Sequence, residues 1–319
     1  MLHGNGFILE IGTKTIGKFE SALTVKRTGM QNRILITGAT GNTGLLTLQR
    51  LLELQPARPV LALVRSTTNT APLQQLGVPW HVCDLDAPAT YLDRVQPGDV
   101  LLETANLRHA RTMLPALAAA GVERAFCVTT TGVFSSHHSY SALYREIEEE
   151  MRRSPVEVTL LRPSMIYGNE RDHNMHKLLR FISRIPVYPV FGTGRALMQP
   201  VHVEDLAEGI VQAVIRDARG EYNLAGPQAL PYTQIIDESF RAIGRRGVMI
   251  FVPVRPVAAL AGLLGQIPRF PLKREQVIRL QEDKAFDISA SCQELSYAPR
   301  PFALGIAQET LQLQKVGII

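Results

Sequence analysis

Cysteine is scarce in this chain: 319 residues contain three, Cys83, Cys127 and Cys292. They stand too far apart for the spacings of a zinc site, and they do not make a disulfide framework. Cys83 and Cys127 fall in apolar runs, where a thiol serves as a small buried hydrophobe. No apolar stretch reaches the roughly 18–20 residues of a membrane-spanning helix. Residues 1–29 lack the basic start and long apolar core of a secretory signal, so a cytoplasmic location is expected. Charge of one sign is also missing. With 34 Lys and Arg against 29 Asp and Glu, the net charge is +5 and is spread along the chain. That surplus is too diffuse for nucleic-acid binding but suits anionic small molecules. The expected partner is therefore a small-molecule substrate, with no nucleic acid and no membrane span, on a monomer or homodimer.

What is present is an alternation of short apolar runs and helical periods. "RILIT" (33–37), "VLALV" (60–64), "WHVCDL" (80–85), "DVLLE" (99–103), "AFCVTTT" (125–131) and "VEVTLLRP" (156–163) read as strands. Between them lie helical segments, among them 42–54, with Leu45, Leu46, Leu48, Leu51, Leu52 and Leu54 on one face and Pro56 after it. Another runs through "ARTMLPALAAAG", closed by Gly121, and a third lies around 141–153. This rhythm predicts a doubly wound α/β fold: a parallel sheet of Rossmann type with helices on both faces. After Gly168 it breaks. A helix returns at 203–217, "EYNLAG" (221–226) reads as one more strand, and 227–319 reads as proline-interrupted helix. The expected domains are 30–168 plus 200–225 for the sheet, and 169–199 plus 226–319 for a smaller, mostly helical lobe. Residues 1–29 form an extension without an assigned role.

The sharpest motif is "ILITGATGNTG" (34–44), which leaves a strand and enters an amphipathic helix. Gly38 permits the tight turn, Gly41 lets the backbone approach a pyrophosphate, and Gly44 lets the helix pack close to the sheet. The free N–H groups and positive end of the helix dipole then face the phosphates, held among Thr40, Asn42 and Thr43. Cofactor choice turns on another absence: between Glu53 and Asp84 there is no acidic residue. NAD-preferring proteins place one about 20 residues past the loop to bond the ribose 2′-OH. Here Arg65 and Ser66 stand there, and a guanidinium suits a 2′-phosphate. NADP(H) is therefore the expected cofactor, with NAD(H) the alternative. Asp84 and Leu85, closing the third strand, are placed at the adenine, with capping of a helix the other role open to Asp84.

Together with "VRS", "CDL", "VTTTGVF", "LRPSMIYG", "QPVHVEDLA", "YNLAG" and "EDKAFDISA", this loop resembles the short-chain dehydrogenase/reductase superfamily in its extended and atypical branches. These comprise epimerase/dehydratase-like, NmrA-like and complex-I-accessory-subunit-like proteins. The resemblance implies a Ser or Thr and a Tyr-x-x-x-Lys pair as the catalytic set. The hydroxyl matches Thr130, with Thr131 its neighbour, and the tyrosine matches Tyr140. The lysine position holds Tyr144, and Arg145 is turned away by about 100° on a helix. The resemblance also sets Pro163 and Ser164 against the nicotinamide. Tyr167, Asn174, Arg195 and Gln199 become substrate-side candidates, with Gln199 where nucleotide-sugar enzymes carry an arginine. His173 and His176 lack a carboxylate cluster, so no metal is expected. His202 and Asp205 read as architecture. The implied activity is oxidoreduction at a carbonyl or alcohol of a small non-nucleotide substrate. The alternatives are a catalytically degenerate dinucleotide-binding regulator or assembly factor and, third, a nucleotide-sugar epimerase or dehydratase.

Overall fold

Strands as short as these, apolar on both faces, are stable only when covered on both sides. In the computed structural model, which describes residues 32–172, 174–253 and 281–319 (138–140 by backbone), this is the arrangement. The sheet strands are β1 (Ile34–Thr37), β2 (Val60–Val64), β3 (Trp80–Val82), β4 (Val100–Glu103), β5 (Arg124–Val128), β6 (Glu157–Pro163) and β11 (Glu221–Leu224). They run parallel in the order β11-β6-β5-β4-β1-β2-β3. The order reverses between β1 and β4, and at that switch the carboxyl ends of an open α/β sheet part to leave a crevice.

Alternation along β1 divides the core. Ile34 and Ile36 face one layer, packed with Leu48 and Leu51 of α1 (Asn42–Leu54) and Leu206 and Ile210 of α6 (Val203–Ile215). Leu35 faces the other, packed with Met113 and Leu117 of α3 (Ala110–Ala119) and Ile147 of α4 (His138–Arg152). Cys83 and Cys127 are buried and Cys292 is exposed. Burial pushes the Cys83 thiol up to about 11, which keeps it an unreactive space-filler.

A third core joins α5 (Met175–Ile182), α7 (Tyr232–Ala242) and α9 (Phe302–Lys315) around Leu179, Ile236 and Ile306. The lobe holds more strand than its prolines suggest. β8 (Val187–Phe191) pairs in parallel with β13 (Val248–Val252), and β9 (Leu197–Met198) pairs with β12 (Leu230–Pro231). A partner about sixty residues away leaves no local trace, so this pairing is absent from the pattern of either segment. β7 (Ile166–Tyr167) and β10 (Val201–His202) form a further short ladder, and α8 (Ser289–Leu295) packs on β11.

Candidate functional site

The glycine loop lies at the switch point, between the ends of β1 and β4. Gly38 has φ +65°, and a Cβ there would stand 2.7 Å from the Ala105 backbone nitrogen. A Cβ on Gly44 would stand 2.1 Å from the Gly38 carbonyl and 2.6 Å from Thr104 Oγ1. Both positions therefore admit glycine alone. Gly41 is the N-cap of α1, so no side chain caps the first turn, and that turn carries no acidic residue. The amides of Asn42, Thr43 and Gly44 are thus presented at a positive helix end. This cradle, open only while glycine occupies it, fits the pyrophosphate of a dinucleotide.

Two residues from the lobe reach over it. Asn169 Nδ2 donates to Asn42 Oδ1 at 2.8 Å, and Arg171 Nη2 donates to the Thr40 carbonyl at 2.6 Å. Neither figures among the sequence candidates. They follow "YG" (167–168) by one and three residues, and only the fold brings that turn above the loop.

At the neighbouring strand ends, Arg65 and Ser66 are exposed directly after β2. Asp84 is exposed after β3, where its Oδ1 accepts from the Asp86 amide at 3.0 Å and caps a turn; Leu85 is buried. Glu103, fully buried at the end of β4, accepts from the Ala105 amide at 2.9 Å. Burial pushes its carboxyl up to about 7, so near neutrality it carries only part of a negative charge beneath the loop.

A cleft of about 670 Å³ opens beyond β5 and β6, a size that suits a small ligand. Thr130 and Thr131 line it from the turn after β5, Ser164 from the end of β6, Asn174 from the start of α5, and Gln199 from the β9–β10 link. Thr130 Oγ1 accepts from the Gly132 amide at 3.0 Å, which leaves its hydroxyl proton to donate elsewhere. Thr131 donates instead to the Pro163 carbonyl at 3.1 Å, and Ser164 donates to the Gln199 carbonyl. Gln199 is buried; its Nε2 donates to the Gly226 carbonyl at 2.7 Å and its Oε1 accepts from the Phe286 amide at 2.6 Å.

Tyr140 stands in the first turn of α4, and its side chain lies outside the described residues. Tyr144, one turn on, is half-buried against the layer of α3 and α4. Arg145 points to the loop after β5, donating to the carbonyls of Val133 at 2.8 Å and Ser135 at 2.9 Å. It holds that loop, as its displacement around the helix requires.

Not every sequence candidate meets at the cleft. Tyr167 is fully buried in the lobe core, in ring contact with His202 and Phe302. Burial drives its hydroxyl pKa far upward. Arg195 is exposed in the turn between β8 and β9 and does not line the cleft. Asp205 pairs with the Arg300 guanidinium at 2.8 Å and accepts from the Arg300 amide at 2.8 Å, while His202 Nδ1 caps α6. Both are architectural. His173 lies outside the described residues, as do residues 1–31; among the described residues no cluster of metal-ligating side chains exists.

Comparison with known proteins agrees with this geometry. A family model described as NAD(P)H-binding matches residues 38–181, and that of the NAD dependent epimerase/dehydratase family matches residues 139–225. The uncharacterized oxidoreductase YesF of Bacillus subtilis is 27% identical over 221 residues, 68% of this chain and 73% of that protein. NADH dehydrogenase [ubiquinone] 1 alpha subcomplex subunit 9, mitochondrial, of Arabidopsis thaliana is 24% identical over 184 residues, 53% of this chain and 45% of that protein. The uncharacterized protein y4nG of Sinorhizobium fredii is 26% identical over 153 residues, 48% of this chain and 39% of that protein. The matched stretch thus spans less than half the length of the last two relatives.

Among solved structures, that of gox2253 superposes with a TM-score of 0.74 at 20% identity, covering 91% of this chain and all of the other (100%). The dTDP-glucose 4,6-dehydratase DesIV of Streptomyces venezuelae, solved with NAD bound, gives 0.68 at 18% identity, covering 89% and 97%. At these identities the likeness is one of fold. With the loop and the sheet order in agreement with the two family models, residues 38–225 of this chain carry an NAD(P)-binding, epimerase/dehydratase-like domain.

Proposed function

We propose that the protein is an NADP(H)-dependent oxidoreductase acting on a carbonyl or alcohol of a small, non-nucleotide substrate. The observation that carries this reading is the pairing of the glycine cradle with Arg65 at the end of β2, where no acidic side chain stands to favour a bare ribose. Gly38, Gly41 and Gly44, with the amides of residues 42–44, hold the pyrophosphate. Arg65 and Ser66 hold the 2′-phosphate, Asp84 and Leu85 border the adenine, and Pro163 and Ser164 border the nicotinamide. When bound, the nicotinamide supplies or accepts the hydride. The chain's own part is orientation and proton handling. The Thr130 hydroxyl donates to the substrate oxygen, and Tyr140 passes the proton at that oxygen. With Tyr144 where the family carries lysine, the motif lacks the cation that favours a tyrosinate base, and Tyr140 is assigned the role of acid. The substrate lies in the cleft between the sheet domain (30–168 plus 200–225) and the lobe (169–199 plus 226–319).

Two observations bear on the other readings. Both polar ends of Gln199 are already bonded to backbone, and a neutral amide so held is a poor clamp for the diphosphate of a nucleotide sugar. Tyr144 favours the second reading, a dinucleotide-binding protein without turnover.

The test is titration of the purified protein with NADPH and NADH, followed by nicotinamide fluorescence, in wild type and Arg65→Ala. A charge-assisted contact is worth about 1.5–3 kcal/mol, so NADPH affinity should fall by about tenfold or more while NADH is little changed. Equal loss for both dinucleotides would remove the NADP(H) preference. Failure of both to bind the wild type at sub-millimolar concentration would remove the cofactor itself.

A further inference from the structure

The core of the lobe does not close completely. Between α5, β8 and α7 lies a second cavity of about 460 Å³, above the roughly 300 Å³ at which small-molecule sites begin. Its wall is aromatic. Phe181 of α5, Tyr188 and Phe191 of β8 and Tyr232 of α7 line it, together with the buried Met175 and Leu178 of α5. Phe181 and Tyr188 meet edge to face with ring centroids 5.8 Å apart, and Tyr188 and Tyr232 do so at 6.4 Å. The hydroxyls of Tyr188 and Tyr232 bond to each other at 2.9 Å, so what these two residues offer a ligand is mainly ring surface. Asn174 and Lys177 are the other polar side chains of the lining, and both are exposed. An exposed lysine lays its stem along apolar surface and keeps its ammonium in water.

This cavity adjoins the cleft that holds Thr130: Met165, Asn174 and Met198 line both. Two of the three shared side chains are thioethers on unbranched stems, which repack readily around a ligand. The third is an amide that can bond a ligand oxygen. The chemistry changes across this boundary. The hydroxyls of Thr130 and Ser164, and the charged groups of Glu282, Asp283, Lys284 and Asp287, belong to the first cavity and do not line the second. A polar chamber, where an oxygen can be held, thus adjoins an aromatic one. A nucleobase would ask the second chamber for donors and acceptors along its edge, and the two tyrosines have already given theirs to each other.

We propose that the substrate is an aryl-bearing carbonyl compound or alcohol, whose aromatic group lies between α5, β8 and α7 while its reacting oxygen lies at Thr130. This rests on the reading of the cleft as the substrate site and deepens it by naming the substrate class. A guest walled by four rings gains edge-to-face and offset-stacked contacts, and removal of its surface from water supplies affinity without any charge. Phe181, Tyr188 and Phe191 are then specificity-determining residues that touch the substrate away from its reacting atoms.

The test uses the full chain with isotope-labelled methionine methyl groups, and 2-naphthol and uridine as probes, with isothermal titration for affinity. NADP+ binding is measured first, and the probes are then titrated with and without it. 2-Naphthol should bind the wild type and move the methyl signals of Met165, Met175 and Met198, while those of Met113 and Met151 in the sheet layer stay. Phe181→Ala and Phe191→Ala should each weaken it about tenfold. Tyr188→Phe combined with Tyr232→Phe removes both hydroxyls, keeps both rings and should hold affinity within about twofold. Leu311→Ala, which removes an exposed apolar side chain of α9 outside both cavities, should change nothing. Uridine should bind about tenfold more weakly or worse. A wild type that does not bind 2-naphthol, methyl shifts elsewhere, or alanine variants that bind like wild type overturn the assignment. So does loss of the probe from the double tyrosine variant. Uridine binding as tightly as 2-naphthol overturns it together with the non-nucleotide reading. If NADP+ does not bind, the cofactor reading falls, and the 2-naphthol titrations without it judge the aromatic chamber alone.

Discussion

At the scale of single residues, the glycines of the loop carry the firmest argument because their requirement is steric. Gly44 lies where α1 begins, and any Cβ there meets the Gly38 carbonyl at 2.1 Å. Gly44→Ala forces the helix start away from the turn, and overpacking of this kind costs about 1–3 kcal/mol. A thermal midpoint lower by several degrees and a loss of NADPH fluorescence enhancement are the expected outcome. An unchanged midpoint with intact binding would show that the loop relaxes freely. Such residues are readable from sequence because glycine's role is local. Asn169, Arg171 and Lys284 are not, since each is an ordinary surface residue type until a distant segment is folded against it. "EDKAFDISA" stands out as a family-like string, but nothing in its spacing says that Lys284 would line the same cleft as Thr130.

Among elements, α4 and its anchorage matter most, since this helix presents both Tyr140 and Tyr144. Glu148 of α4 is buried beside Arg162 of β6, with Nη2 to Oε2 at 2.6 Å, Nε to Oε1 at 2.9 Å, and Thr129 Oγ1 donating to Oε1 at 2.8 Å. Arg162 also pairs with Glu221 of β11 at 2.5 Å, so one network ties α4 to three strand segments. Removing one partner of a buried pair leaves the other charge stranded, at about 3–5 kcal/mol. Glu221 remains to Arg162, so the lower end of that range is expected for Glu148→Ala in urea unfolding. Glu148→Leu combined with Arg162→Met should recover much of the loss, because two apolar groups leave no charge unsatisfied. Recovery absent from the double variant would point to a packing origin. The strand–helix rhythm of α4 and its neighbours is evident in the sequence because the periods of 2 and 3.6 are local. The ladder of β8 with β13 is not, since it joins segments far apart in the chain.

For the molecule as a whole, stability should depend on pH through His202, whose ring lies against Tyr167 of the third core. It is buried against Tyr167 and Gly168 with Nδ1 accepting from the Glu204 amide. Burial first, and the nearby Arg300 guanidinium second, push its pKa down to about 4 from the usual 6.5, against the opposing pull of Glu204 and Asp205. The unfolded chain therefore binds the extra proton between about pH 6.5 and 4, and the folded chain resists it. The stabilisation is complete above the unfolded pKa and is lost as pH falls towards the folded one, by at most about 3 kcal/mol. His202→Gln should flatten the urea midpoint across that window while wild type falls steeply; equal slopes would exclude His202 as a main contributor.

The sequence by itself determined the parallel sheet, the glycine cradle, the absence of an acidic residue after β2, and the loss of the α4 lysine. Each is written in consecutive residues or in a repeat of the backbone's own period. Only the tertiary structure decided which candidates meet. It set Thr130, Ser164, Asn174 and Gln199 around one cleft and buried Tyr167 away from it. It left Arg195 outside and brought Lys284 in from a segment about 150 residues beyond Thr130. The physical reason is that a cleft is made by the packing of distant surfaces, and the free energy of that packing belongs to no single stretch of chain.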